Sequence, residues 1–385
     1  MKPLKFILSP DSFKGSLSSP EVCFAMKSGI NKIFPDAKII NIPLADGGEG
    51  TLVAIISSVN GKIVNCKVKN PVGKIINSQY GIIEDEKIAV IEMAAASGLN
   101  LIPQKLQNPL YTTTYGTGQL IKNALENGYR KFIISIGGSA TTDGGAGMAQ
   151  ALGVDFFDKN GEIISEPMTG DLMGKCSDIS TENLHPAVKD SDFTIASDVN
   201  NLLFGKNGAV HVYASQKGAS KNDLPILENN MRHFYKLVEN KLGVNVKNIS
   251  GAGASGGLGA GLMVFLGAKI QSGIEIVLDI VKFDEKVKDT DYIITGEGKL
   301  DIQTVSGKTI SGILRIANEN NIPVIAIAGI VEDEEGLLSK MNLEKIFSIC
   351  NSKINVKEAI KNASKLVTKR MEEVCEYIKR KENNE

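Results

Sequence analysis

Residues 4–50 read LKFILSPDSFKGSLSSPEVCFAMKSGINKIFPDAKIINIPLADGGEG. The apolar run Leu4–Leu8, stopped by Pro10, is too short for a helix and predicts a buried strand. Ser18 with Glu21 three residues on makes a capping box, and Pro20 falls in the first turn of a helix expected to reach about Phe34. AKIINI at 37–42 predicts a second buried strand, closed by Pro43 and the turn ADGGEG. Strand, loop, helix and strand in that order open a doubly wound parallel sheet.

The same rhythm returns from Asp291. YIITGEG predicts strand and loop, a helix follows from about Val305 to Asn320, and PVIAIAG and KIFSI predict two more strands. A last helix, about Val356 to Arg380, places Val356, Ile360, Ala363, Val367, Met371, Val374 and Ile378 along one face. Between these ends, Lys62–Glu92 alternates apolar with polar residues and breaks at Asn70-Pro71 and Asp85-Glu86, as an antiparallel or mixed sheet would. The expected architecture is α/β throughout. Both chain ends, 1–65 and 286–385, build a parallel-sheet domain; 66–285 is a large inserted mixed-sheet α/β domain, and the active site is expected in the cleft between them.

Among the 385 residues, 43 Lys+Arg against 44 Asp+Glu leave a net charge of −1, and only 5% are aromatic, with no Trp. That excludes an electrostatic or stacking surface for nucleic acid and favours small-molecule work. Five scattered cysteines without a C-x-x-C suggest neither disulfides nor zinc. The apolar start is too short for a signal peptide. Residues 248–268 are uncharged, but they are glycine-rich and only half of them are strongly apolar, so a buried helix is expected rather than a membrane span. A cytoplasmic location follows; the oligomeric state, a homo-oligomer included, stays open.

Glycine is the excess, at 39 residues, six of them between Gly137 and Gly153 and seven between Gly251 and Gly267. Such loops let successive amides point at an anion. SGKT at 306–309 lacks the upstream glycine of a P-loop, since position 302 is Ile. GAGASG at 251–256 matches G-x-G-x-x-G, yet only the weak VNVKNI precedes it. Phosphoryl transfer needs cations, Mg²⁺-holding carboxylates and a carboxylate near the acceptor hydroxyl. All five arginines lie outside the loops, so the candidate cations are Lys14, Lys206, Lys217, Lys299 and Lys308; Lys14, Lys217 and Lys308 each adjoin a glycine. Loop carboxylates are Asp11, Asp46, Glu49, Asp143, Asp198, Glu297 and Asp301, of which Asp11 and Asp143 could equally be turn or helix caps. No histidine falls in a glycine loop.

In order, DSFKGSLS, ADGGEGT, EMAAASGL, GGSATTDGGAGM, QKGA, GAGASGGLGAG and TGEG-LD-QT-GK resemble the type-1 bacterial glycerate kinase family, from about Lys5 to Gly329. The resemblance implies a Rossmann-like domain with an inserted α/β domain, and ATP- and Mg²⁺-dependent phosphorylation of D-glycerate to 2-phosphoglycerate. Departures occur at Thr142, Leu202, 213–215 and Ile310, where the family commonly has Asn, Pro, Phe-Gly-Pro and Pro. On this reading Lys14, Asp198, Lys217 and Lys308 are the catalytic candidates. Asp11, Ser12, Gly15, Gly47, Gly48, Gly137, Gly138, Ser139, Thr141, Asn200, Gly251, Gly253, Gln303 and Thr304 would bind substrate or nucleotide, and Asp46, Glu49, Glu297 and Asp301 the metal. The alternatives are a kinase of another small hydroxy acid or one forming 3-phosphoglycerate, a nucleotide-dependent oxidoreductase, and a non-catalytic sugar-acid sensor.

Overall fold

The computed structural model describes residues 3–45, 47–48, 50–59, 61–301, 308–351 and 354–383, apart from the side chains of Lys308 and Thr309. Its strands in chain order are β1 (Lys5–Pro10), β2 (Lys38–Asn41), β3 (Lys62–Lys69), β4 (Ile75–Ile83), β5 (Ile88–Glu92), β6 (Lys131–Ser135), β7 (Asp155–Phe157), β8 (Asp178–Ser180), β9 (Asp192–Ala196), β10 (Lys269–Gln271), β11 (Tyr292–Leu300), β12 (Val324–Val331) and β13 (Lys345–Ser348). Two compact units result. The first comprises Met1–Asp46, Val53–Asn60 and Ile274–Glu385, and the second Gly47–Leu52 and Gly61–Gly273.

In the first unit every strand pair is parallel, in the order β13-β12-β11-β1-β2. From β1 the chain moves to β2 on one side, whereas β11 leads to β12 and β13 on the other. The β1/β11 pair is therefore the topological switch point, the place at which open parallel sheets bind ligands. Phe6, Ile7 and Leu8 of β1 are fully buried, as a central strand covered on both faces requires. The helix Ser19–Ile33 starts as expected, with the Ser18 amide donating to Glu21 Oε2 at 2.8 Å. It packs on the helix Ala363–Glu382 so closely that a Cβ on Gly29 would stand 2.6 Å from the Thr368 carbonyl oxygen.

Two expectations are corrected here. β2 is not buried: it is the sheet's edge, paired on one side only, with Lys38 and Asn41 exposed and Ile39 and Ile40 half-buried. The last helix is two helices, Val356–Lys361 and Ala363–Glu382, because Asn362 at φ −113°, ψ 21° leaves helical geometry. The break turns Val356 and Ile360 outward, at 46% and 48% exposure, and the continuous apolar face begins at Ala363.

The second unit holds a mixed six-stranded sheet, β10-β9-β6-β5-β4-β3, antiparallel at β3/β4 and β4/β5 and parallel elsewhere. The break at Asn70-Pro71 is built by Asn70, whose Oδ1 accepts the amides of Val72 (3.1 Å) and Lys74 (2.9 Å). Glu92, Ser135, Ala196 and Gln271, the last residues of β5, β6, β9 and β10, stand level along one carboxyl edge.

The expected buried helix lies within 254–266, but its start is broken: Ser255, Gly256 and Gly257 take left-handed angles (φ 53°, 69° and 87°), and the regular turns follow them. Among the described residues no helix is long and apolar enough to cross a membrane. VNVKNI forms no strand. The two glycine-rich windows meet each other: a Cβ on Gly256 would lie 2.1 Å from the Thr141 carbonyl oxygen, and one on Gly261 2.7 Å from that of Gly144. The Gly144 amide also donates to the Gly256 carbonyl at 3.1 Å. Much of the glycine excess therefore serves backbone-on-backbone packing.

Candidate active site

At the switch point of the first unit, pairing continues past the strand ends, with the Asp11 amide donating to the Gly296 carbonyl at 2.8 Å. The loop after β1 folds on itself through the buried Phe13, whose amide reaches Leu17 O at 2.8 Å, and turns at Gly15 with φ +80°. Asp11 Oδ1 accepts the Ser12 amide at 2.5 Å. Lys14 is exposed, and its amide lies against the end of β11, 3.3 Å from where a Cβ on Gly298 would be. Half-buried Glu297 adjoins, and Lys299 bridges Asp301 (3.1 Å) and Glu332 (2.9 Å). These contacts, Glu332 first, raise the Lys299 ammonium above its ordinary range.

The structure thus gathers Asp11, Ser12, Lys14, Gly15, Glu297 and Asp301 at one carboxyl edge, where two motifs some 280 residues apart in sequence converge. Asp46, Glu49, Gln303, Thr304 and the Lys308 side chain lie outside the described residues. Oxygen is the only donor type the three carboxylates offer, which suits a hard cation such as Mg²⁺. Among the described residues no three His, Cys, Asp or Glu form a group fit to hold a metal.

In the second unit, several predicted residues follow the carboxyl ends of strands. Gly47 rests on the end of β9, a Cβ there falling 3.0 Å from the Ala196 carbonyl oxygen; Gly48 accepts from Thr51 Oγ1 at 2.8 Å. Gly137, Gly138 and Ser139 follow β6, with Gly138 O accepting the Leu99 amide at 2.9 Å. Half-buried Asp198 and exposed Asn200 follow β9. Gly251 and Gly253 are of another kind. Both are buried, a Cβ on Gly251 would strike Ile270 at 2.3 Å, and the Gly253 amide is engaged by Asn201 O at 3.0 Å.

Lys217 is not a surface arm. It is 2% exposed and donates from Nζ to the Thr141 carbonyl at 2.7 Å, joining two predicted site residues. Burial lowers its ammonium from 10.5 to about 7, against a smaller upward pull from the Asp143 charge. Asp143, wholly buried, accepts the amides of Thr114 (2.7 Å), Gly145 (3.1 Å) and Gly147 (3.3 Å) and the Thr114 hydroxyl (2.7 Å). Desolvation nevertheless raises its carboxyl above the usual range.

Between pH 7 and 10.5 the unfolded chain keeps a Lys217 proton that the folded chain has shed, so this group adds stability as pH rises. The slope reaches at most about 1.4 kcal/mol per pH unit. Urea melts of wild type and Lys217→Met should therefore diverge in the wild type's favour from pH 7 to 9. A constant difference would mean that the folded lysine keeps its proton.

Sequence reasoning missed Glu92, whose carboxylate accepts the amides of Gly50 and Leu52 at 3.2–3.3 Å. Its place as the last residue of a predicted strand was the available signal.

Residues 6–379 match the family model described as the glycerate kinase family. The chain belongs to the glycerate kinase family. It is similar to the "Glycerate 2-kinase" of Escherichia coli (strain K12), 44% identical over 360 residues and 94% of each chain. To the "Glycerate kinase" of Halalkalibacterium halodurans it is 43% identical over 361 residues, again 94% of each. Among solved structures it matches a candidate glycerate kinase 2 from Salmonella typhimurium LT2 with a TM-score of 0.88 and 40% identity, covering 99% of this chain and 100% of that one. As a member of the glycerate kinase family the chain is a phosphotransferase. The oxidoreductase reading, which rested on GAGASG alone, falls away, since those glycines pack a helix and follow no strand.

Proposed function

We propose that this enzyme transfers the γ-phosphoryl group of ATP, with Mg²⁺, to the 2-hydroxyl of D-glycerate, in the cytoplasm. The observation that carries the reading is the convergence of the DSFKGS loop with TGEG, which is not a loop but part of β11, at the β1/β11 switch point, where an open parallel sheet binds ligands. Similarity to a relative named glycerate 2-kinase supports the position of transfer. Lys14 and Lys308 would stand against the phosphates, amides of Gly47, Gly48, Gly137 and Gly138 would receive anionic oxygens, and Glu297 and Asp301, with Asp46 and Glu49, would hold Mg²⁺. The ion would neutralise charge on the phosphates.

Asp198 is the group we assign to the acceptor. Its carboxylate orients the hydroxyl and takes the proton as the hydroxyl oxygen bonds to the γ-phosphorus. The bond from that phosphorus to the bridging oxygen breaks, and ADP leaves. Asp198→Asn should lower kcat roughly a hundredfold with little change in KM; near-wild-type kcat with an unchanged pH profile would remove Asp198 from this role. The overall reading is tested by ADP release against D-glycerate, L-glycerate and hydroxypyruvate, with NMR of the product to separate the 2- from the 3-phosphate. Failure to release ADP with D-glycerate would overturn it.

A further inference from the structure

Glu92 ends β5, with Ser135 of β6 and Ala196 of β9 beside it on the same carboxyl edge. Gly47 and Gly50 are each held against this edge. Gly47 sits against the backbone of Ala196 and of Gly273, so tightly that a Cβ would come within 3.0 and 3.2 Å of them. The Gly50 amide donates to both Glu92 oxygens (3.3 and 3.2 Å), and the Leu52 amide to Oε2 (3.2 Å). Leu52 is the second residue of the helix Thr51–Ser58, whose first-turn amides have no partner within the helix. A carboxylate from a neighbouring strand therefore does what a local cap residue does elsewhere, and it is favoured there by the helix dipole. Thr51 Oγ1, by contrast, turns back to the Gly48 carbonyl.

We infer that Glu92 is a positioning residue, whose carboxylate fixes the Gly47–Leu52 loop on the carboxyl edge of the sheet and so sets the geometry of the loop that contacts the transferred group. The last clause rests on the function proposed above; the clamp itself does not. Because Oε2 receives both amides, glutamine can keep two of the three contacts through its carbonyl oxygen while losing the charge, whereas alanine keeps none. Charge-assisted bonds are the stronger kind, so the glutamine variant should fall between wild type and alanine.

The test compares full-length wild type, Glu92→Gln and Glu92→Ala by hydrogen–deuterium exchange and by steady-state kinetics with ATP, Mg²⁺ and D-glycerate. Expected are at least tenfold faster exchange in peptides spanning 47–52 in the alanine variant, an intermediate value for glutamine, and unchanged exchange in β3 and β4. Catalytic efficiency, kcat/KM, should fall at least tenfold for alanine and be partly restored by glutamine. Unchanged exchange at 47–52 overturns the clamp, as does acceleration spread over the whole sheet. Faster loop exchange with kcat/KM within twofold of wild type overturns the positioning role. If wild type proves inactive on glycerate, the functional reading fails and exchange alone decides the clamp; if the alanine variant does not fold, the glutamine variant decides both.

Discussion

Asp143→Ala is expected to cost at least about 3 kcal/mol of stability, seen as a large drop in the urea midpoint. The change strands three buried amides, those of Thr114, Gly145 and Gly147, each costing roughly 1–3 kcal/mol when left without an acceptor. It also opens a void in a site with no solvent access. Set against a total of about 5–15 kcal/mol for a typical domain, that is a severe loss. Asp143→Asn should be milder, about 1–2 kcal/mol. Its oxygen can replace Oδ2, which serves Thr114 and Gly147, but its NH₂ then faces the Gly145 amide, donor against donor. Equal midpoints for wild type and the alanine variant would show that Asp143 does not hold these amides.

Gly256→Ala is the second large effect. At φ +69° an alanine is strained by about 1–2 kcal/mol before any contact is considered. Its Cβ would then stand 2.1 Å from Thr141 O and 2.7 Å from Thr142 Cα, both backbone atoms that cannot swing aside. Overpacking adds about 1–3 kcal/mol, so a total near 3–5 kcal/mol is expected. Thr141 O is also the acceptor for Lys217, so the displaced strand of chain should disturb that bond as well. A thermal midpoint within a degree or two of wild type would contradict close packing of the two windows. Gly15→Ala makes the control, since it has positive φ but open space around its Cβ.

What could be read without coordinates was local or periodic. Pro10, the Ser18/Glu21 pair and the three apolar residues of β1 mark their element within a few positions of one another, and the capping box formed as expected. The ordered loops sufficed for the family. Contacts made at long range could not be read in the same way. Gly251 and Gly256 look alike in a string, as do glycines that bind anions and glycines that admit a neighbouring carbonyl; only the partner across the seam, Thr141 or Ile270, distinguishes them. Lys217 beside Gly218 has the look of a surface turn, and its burial depends on Thr141, 76 residues away. The outward turn of Val356 and Ile360 hinges on one backbone angle at Asn362, which no periodicity records.

The pairing of β1 with β11 bears on how the protein is made. The Lys5 amide and the Asp291 carboxylate meet across 286 residues of chain. At roughly 5–20 residues per second of translation, roughly 15–60 s pass between the emergence of the two strands. During that interval Phe6, Ile7 and Leu8 are nascent chain without their principal partner strand, while nearly all of the second unit, Gly61–Gly273, is already available to fold. The β1 segment is thus consolidated long after it is synthesised, and the ribosome-bound intermediate carries an exposed apolar strand of the kind that holdase chaperones protect.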